Sequence, residues 1–318
     1  MSKLRRVLVI VLFFMLLCSV IGTILIIDKP TTEANRQQEA KIILDNVIGI
    51  DTKKYDIDTR YAFPNGVSLN LTSDQNRLRA TVDFSGDKFI RLNLSANHSP
   101  ILKQPGEVLD MASGVMERYQ RYTGDAFYGE LHSVIKDVTG VNVTKTKGNI
   151  QLDVYRYTND RGRGYDRTQI TWTYIDDDGI IAPSKCVALG YSNGYPVYFY
   201  DVWQSYEITG VSVISDTEAV NIALKAFKTY LGDIYVGNFE FVAASDCKIV
   251  STGEPILNYY NYDGDQFARD EKTYALYPAW HIPISFDNTK TGKVFDTYII
   301  VWADTGEIGS IGYKGPIW

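Results

Sequence analysis

The sequence predicts an α+β protein: an N-terminal transmembrane helix followed by an ectodomain of repeated helix-plus-antiparallel-sheet units. Three observations carry that expectation. The run from Val7 to Ile27 is apolar and holds no charge, and as a helix it is about 31 Å long, the thickness of a bilayer's hydrocarbon core. Beyond it, amphipathic helical stretches are followed by several segments of strand-like alternation, and this order occurs twice. The composition is also rich in tyrosine, 23 residues against 13 Phe and 5 Trp, and tyrosine suits a pleated, half-buried surface.

The charges around the apolar run set its orientation. Lys3, Arg5 and Arg6 precede it, and Asp28, Lys29 and Pro30 follow. Residues 1–6 are therefore expected in the cytoplasm, 7–27 as a single-pass anchor, and the bulk of the chain outside the cell membrane. A cleaved signal peptide is the competing reading, but its apolar core is normally about 7–15 residues and ends at small residues. The only candidate cleavage site here, Val20-Ile21-Gly22, is poor. Hydrophobic residues at 45% and charged residues at 22% of the 318-residue chain are globular values. A net charge of −6 argues against a nucleic-acid partner, which requires a basic face.

Residues 28–105 read as a membrane-proximal helix and β region. Ala40, Ile43, Leu44 and Val47 recur at helical spacing, and alternation follows in Val67-Leu69-Leu71, Leu78-Ala80-Val82 and Phe89-Arg91-Asn93. Pro100, Pro105 and Gly106 mark a break. The first full unit, 106–206, opens with a helix striped by Val108, Ala112, Val115, Tyr119 and Tyr122 and stopped by Gly124. A second helix carries Phe127, Leu131, Val134, Ile135 and Val138. Strands are expected over 149–157, 168–176 and 185–201, the last folded at Ser192-Asn193-Gly194, where Asn-Gly supplies a tight hairpin turn. The second unit, 207–318, starts with a helix capped by Ser215 or Asp216, striped by Val220, Ala223, Leu224, Phe227 and Leu231, and stopped by Gly232. Strands at 236–250, 274–286 and 294–312 follow, with a turn at Asp304-Thr305-Gly306. Ile170-Thr-Trp172 and Pro278-Ala-Trp280 occupy matching places, which marks a diverged internal repeat.

Two segments carry a family resemblance. Ile214-Ser-Asp-Thr-Glu-Ala-Val-Asn-Ile-Ala-Leu-Lys-Ala-Phe resembles the opening helix of a PepSY domain. Ala279-Trp280-His-Ile-Pro-Ile, with Tyr298-Ile-Ile-Val-Trp-Ala-Asp304-Thr-Gly306-Glu-Ile, resembles that domain's closing strands and hairpin. The match covers about residues 211–312, and 106–206 more weakly. Such domains occur in propeptides of secreted metallopeptidases and in membrane-anchored envelope proteins. The resemblance implies a binding or regulatory module that restrains a peptidase or another envelope protein. No metallopeptidase domain follows in this chain, so that partner would be a separate protein.

The sequence points to no enzyme and to no cofactor or metal. His98, His132 and His281 form no pair at metal-ligand spacing, and no nucleophile elbow, P-loop or dinucleotide fingerprint occurs. Asp176-Asp177-Asp178-Gly179 and Asp263-Gly264-Asp265 lack EF-hand spacing and sit where turns are expected. Cys186 and Cys247 form either a disulfide or two separate buried thiols. Asn70, Asn93 and Asn142 begin glycosylation acceptor tripeptides. The alternative function is a surface carbohydrate- or peptide-binding module, with Tyr259, Tyr260 and Tyr262 as an exposed stacking platform.

Overall fold

The computed structural model of the chain describes residues 33–63, 65–103, 107–158, 166–210, 213–237, 240–260 and 274–313. It is a mixed α+β structure dominated by one large, mainly antiparallel sheet. The apolar run at 7–27 lies outside the described residues, and no helix among those described is long and apolar enough to cross a membrane.

Three runs of the same order follow one another. The first is α1 (Glu33–Ile42) and the meander β1 (Asp56–Phe63), β2 (Gly66–Thr72), β3 (Arg77–Ser85) and β4 (Lys88–Ala96). Next come α2 (Val108–Thr123), α3 (Phe127–Lys136), β5 (Val143–Lys147), β6 (Ile150–Thr158), β7 (Asp166–Ile175), β8 (Ile181–Ser192) and β9 (Tyr195–Asp201). The third run follows the short β10 (Glu207–Ile208). It comprises α4 (Asp216–Thr229), a hairpin of β11 (Asp233–Gly237) and β12 (Glu240–Ala243), then β13 (Cys247–Thr252), β14 (Ile256–Tyr260), β15 (Ala275–Asn288), β16 (Lys293–Trp302) and β17 (Ile308–Tyr313).

The first two runs share one sheet. β4 pairs antiparallel with β9 through Arg91↔Tyr200, Leu92↔Phe199 and Asn93↔Tyr198, giving the spatial order β1-β2-β3-β4-β9-β8-β7-β6-β5. One face is apolar and covered by α1, α2 and α3. Leu69, Ala80, Leu92, Phe199, Leu189, Ile170 and Leu152 line it from strand to strand, within a single buried cluster that reaches from Ala40 to Trp203. The indole of Trp172, fully buried on β7, donates to the Leu131 carbonyl of α3 at 3.0 Å. The third run has its own core, in which Ala219, Ala223 and Phe227 of α4 pack on Ile282, Ile284, Phe286, Ile299 and Val301. The Trp280 indole donates to the Ile214 carbonyl just ahead of α4. β7 and β15 thus each lead two further antiparallel strands and aim a tryptophan at a helical segment.

The helix expected from the spacing of Ala40, Ile43, Leu44 and Val47 forms, with all four fully buried. Its last turn, Ile43–Ile48, widens to a π-helix that ends at left-handed Gly49 (φ 89°), where the Leu44 carbonyl accepts from both Gly49 N and Ile50 N. Ser215 caps α4 by accepting from Glu218 N at 3.2 Å. Three expectations are corrected. α4 ends at Thr229 rather than at Gly232, and Leu231 is 94% exposed rather than part of the stripe. The strand expected over 236–250 is three short strands, since Ala244–Asp246 forms a 3-10 turn. On β4 the inward residues are Phe89, Leu92 and Leu94, because the register slips between Asp83 and Phe84.

The uncovered face of the shared sheet is polar and aromatic. Gly190 of β8 lies beneath the Tyr198 ring of β9, and a Cβ there would fall 2.0 Å from Tyr198 Cε1. The Arg167 guanidinium stands 5.7 Å from the same ring's centroid. Gly190→Ala is expected to destabilise by about 1–3 kcal/mol through overpacking, read as a lower urea midpoint. An unchanged midpoint would show that Tyr198 moves aside freely.

On the outer face of β15, His281 meets the edge of Tyr260 at a centroid distance of 5.0 Å, and its buried Nε2 has no hydrogen-bond partner among the described residues. Burial lowers its pKa from 6.5 to about 4. The folded chain therefore binds this proton less well than the unfolded chain. Its stabilising share is complete above pH 6.5 and is lost as pH falls from 6.5 to about 4. The expected loss is about 3 kcal/mol across that window. Unfolding midpoints across it should fall more steeply for the native chain than for His281→Phe, and equal slopes would assign the titration to another group.

Candidate functional site

The residues singled out in the sequence do not converge. Tyr259 is buried, and its hydroxyl donates to Asp176 Oδ2 at 2.8 Å. Ile180, Ala182 and Leu276 surround it at the junction of the second and third runs. The expected exposed platform is thus corrected at Tyr259: this ring is a structural contact. Tyr260 is half-buried against His281, and Tyr262 lies outside the described residues, as do Asp263 and Asp265. Asp176 orients its own turn, with Oδ1 accepting from Asp178 N at 3.0 Å and Ile180 N at 2.8 Å.

Cys186 and Cys247 are free thiols, so of the two readings left open the structure holds separate cysteines. Burial pushes the Cys186 thiol up to about 12, which leaves it protonated and unreactive at neutral pH. Cys247 packs against the third core. Asn93 is exposed on β4, Asn70 is half-buried on β2, and Asn142 lies exposed before β5 with its Oδ1 accepting from Arg156 N. His132 bonds Ser113 Oγ at 3.0 Å between α2 and α3.

A group the sequence did not flag gathers where the shared sheet ends. Asp201 is the last residue of β9 and points inward, two positions after Phe199. It is buried at 5% exposure, and its Oδ2 accepts from the Tyr119 hydroxyl at 2.7 Å and the Tyr128 hydroxyl at 2.6 Å. Oδ1 accepts from Trp203 N at 3.2 Å. An aromatic cluster fixes the two phenols: the Tyr119 ring lies 4.5 Å from Tyr128 and 4.8 Å, edge-on, from Phe199.

These residues form the floor of a cavity of about 670 Å³. Glu39 of α1, the β3–β4 turn at Asp87 and Lys88, Asp125, and Gln204 with Tyr274 complete its wall. Tyr122 donates to Glu39. Asp125 Oδ1, just ahead of α3, accepts from Phe127 N at 2.9 Å.

Four carboxylates against one lysine make the cavity acidic. Burial raises the Asp201 pKa, and the Tyr119 and Tyr128 hydrogen bonds oppose that rise. Burial first, and then the neighbouring carboxylates, push Tyr119, Tyr122 and Tyr128 above the usual phenol range. The phenols therefore stay protonated at any physiological pH and act as fixed donors. The arrangement suits recognition by placed donors, acceptors and aromatic faces.

No family model and no curated protein matches this chain. Among solved structures the chain is similar to the Bacillus megaterium YpeB C-terminal domain, at 12% identity and a TM-score of 0.37, over 86% of this chain and 95% of that one.

Sequence reasoning placed Tyr119 and Tyr122 on a helix stripe but not in a site. The one usable signal was a carboxylate at an inward strand position, in Tyr198-Phe199-Tyr200-Asp201. Glu39 comes from so far along the chain that only the tertiary fold places it there. Asp201→Ala orphans two hydroxyls and an amide and is expected to cost roughly 3 kcal/mol, at about 1–3 kcal/mol for each buried group left unpaired. A double-mutant cycle with Tyr128→Phe should give a coupling of about 1–2 kcal/mol. Additive effects would show that the Tyr128–Asp201 bond contributes little.

Proposed function

We propose that this chain is a membrane-anchored, extracytoplasmic module of the PepSY-like kind that binds and restrains a separate envelope protein, possessing no catalytic chemistry of its own. The observation that supports it most is the cavity above Asp201. Its walls come from α1, the β3–β4 turn, the α2–α3 connection and the segment after β9, so its shape is held by the packed core. Its polar groups are fixed hydrogen-bond partners, suited to seating a side chain or terminus of another protein. The repeated helix-then-meander order supports the PepSY-like reading, and the charge pattern around residues 7–27 supports the anchor.

The carbohydrate- or peptide-binding alternative draws support from a different place than the Tyr259 loop. Tyr155 and Tyr157 are exposed on β6, their ring centroids 6.4 Å apart, on the sheet face opposite α1, α2 and α3.

Gln204 is exposed at the cavity rim, and Asp74 is exposed at the opposite end of β3. A photo-crosslinking residue placed at Gln204 of the full-length chain in its native membrane should trap one defined protein, and the same group at Asp74 should not. Equal adducts from both positions, or none from Gln204, would contradict the restraining role.

A further inference from the structure

A second cavity, of about 280 Å³, lies on the other flank of α2, against the end of α1. Arg118 of α2 is half-buried in its wall. Its Nε donates to the Val47 carbonyl at 2.8 Å and its Nη2 to the Ile48 carbonyl at 3.3 Å. These bonds fix the plane of the guanidinium and close the carbonyl end of the π-helical turn. Nη1 has no hydrogen-bond partner among the described residues, and no carboxylate pairs with Arg118 there. Two glycines leave room for the group: a Cβ at Gly114 would lie 3.0 Å from Nη1, and one at Gly49 would lie 3.3 Å from Nη2.

Tyr191 lines the same cavity. It is 1% exposed, and its hydroxyl is buried without a hydrogen-bond partner among the described residues. A half-buried guanidinium with no carboxylate partner among the described residues thus shares a cavity with a buried phenol short of an acceptor, and such a buried, unsatisfied hydroxyl is uncommon. One kind of atom answers both deficits: an anionic oxygen that accepts from Arg118 Nη1 and from the Tyr191 hydroxyl.

The remaining groups narrow the class. Lys103 is engaged by Asp45 at 2.7 Å, and Asp110 is exposed at the rim. Among the described wall residues Arg118 is then the cation left to meet a ligand, and two carboxylates in the wall oppose a dianion such as phosphate. Ile48, Leu102, Met111 and Val115 supply apolar wall, suited to a short aliphatic chain. The geometry points to a binding site for a monocarboxylate with a short aliphatic tail, either a free acid or the C-terminal residue of a peptide, held by Arg118 and Tyr191. The site is separate from the cavity above Asp201 and does not depend on the function proposed for it.

The test is calorimetric titration of the purified full-length chain with propionate, with the dipeptide N-acetyl-Ala-Ala, with propionamide as the uncharged isostere, and with inorganic phosphate. Propionate or the dipeptide should bind saturably, and whichever binds more tightly identifies the source. Propionamide and phosphate should not saturate below about 20 mM. Tyr191→Phe should weaken the carboxylate at least about tenfold without lowering Tm, since the hydroxyl it removes makes no hydrogen bond to the described residues. Four outcomes would overturn the site: no saturable carboxylate binding, equal binding of propionamide, tighter binding of phosphate, or undiminished affinity in Tyr191→Phe. Arg118→Lys serves as a second variant. It should retain a cation and, where its unfolding midpoint is unchanged, lose carboxylate affinity.

Discussion

The pairing of β4 with β9 is the contact on which the rest of the molecule depends. It is short, three residue pairs from Arg91↔Tyr200 to Asn93↔Tyr198, yet it joins two meanders about 100 residues apart in the chain. Alone, either meander would present one apolar face with too little helix to cover it. Joined, they give α1, α2 and α3 a continuous surface to bury, and Phe89 meets Phe199 across the seam at 5.1 Å. A sheet with one apolar face must be covered on that face only, which explains why Thr81, Asn93 and Gln169 look outward while Ala80, Leu92 and Ile170 look in.

The cavity above Asp201 follows from this seam. Asp201 is the residue after the last β9 partner of β4, so the pairing sets its depth, and the α2–α3 packing sets the two phenols that reach it. Lys185 ties the exit from this region: its Nζ donates to the Trp203 carbonyl at 2.7 Å and the Tyr206 carbonyl at 2.6 Å. From there the chain enters β10 and the third run, whose one ladder contact with the shared sheet among the described residues is the parallel bridge Asn258↔Ile181. The small apolar cluster around Tyr259 seals that junction.

The parts of this architecture that were legible in the sequence are those governed by burial. The stripe through Ala40, Ile43, Leu44 and Val47, the Asn193-Gly194 turn, and the positions of Trp172 and Trp280 follow from periodicity and turn chemistry, and the structure has them in place. What was missed has little local signature. β1 and β5 are edge strands of mixed residues with none buried, so no apolar core face marks them. Gly232 looked like a helix stop because glycine commonly is one, but α4 unwinds earlier at Tyr230, where the chain turns extended. Polar neighbours made Tyr259 look exposed. Its burial comes from strands of another run, which a local window does not contain. The Asp201 cavity and the Arg118–Tyr191 pair are assembled from residues up to 235 positions apart, Glu39 to Tyr274, and only topology brings them together.

Native-state hydrogen exchange of the full-length chain tests the shared core most directly. If the β4–β9 seam makes the first two runs one cooperative body, the slowest amides of β2–β4 and of β6–β9 should open together, with one free energy and one denaturant dependence. The amides of β15–β17 should open separately, as befits a core of their own. Opening of β2–β4 at a distinctly lower free energy, while β6–β9 stay protected, would contradict the account and make the first run an appendage to the second.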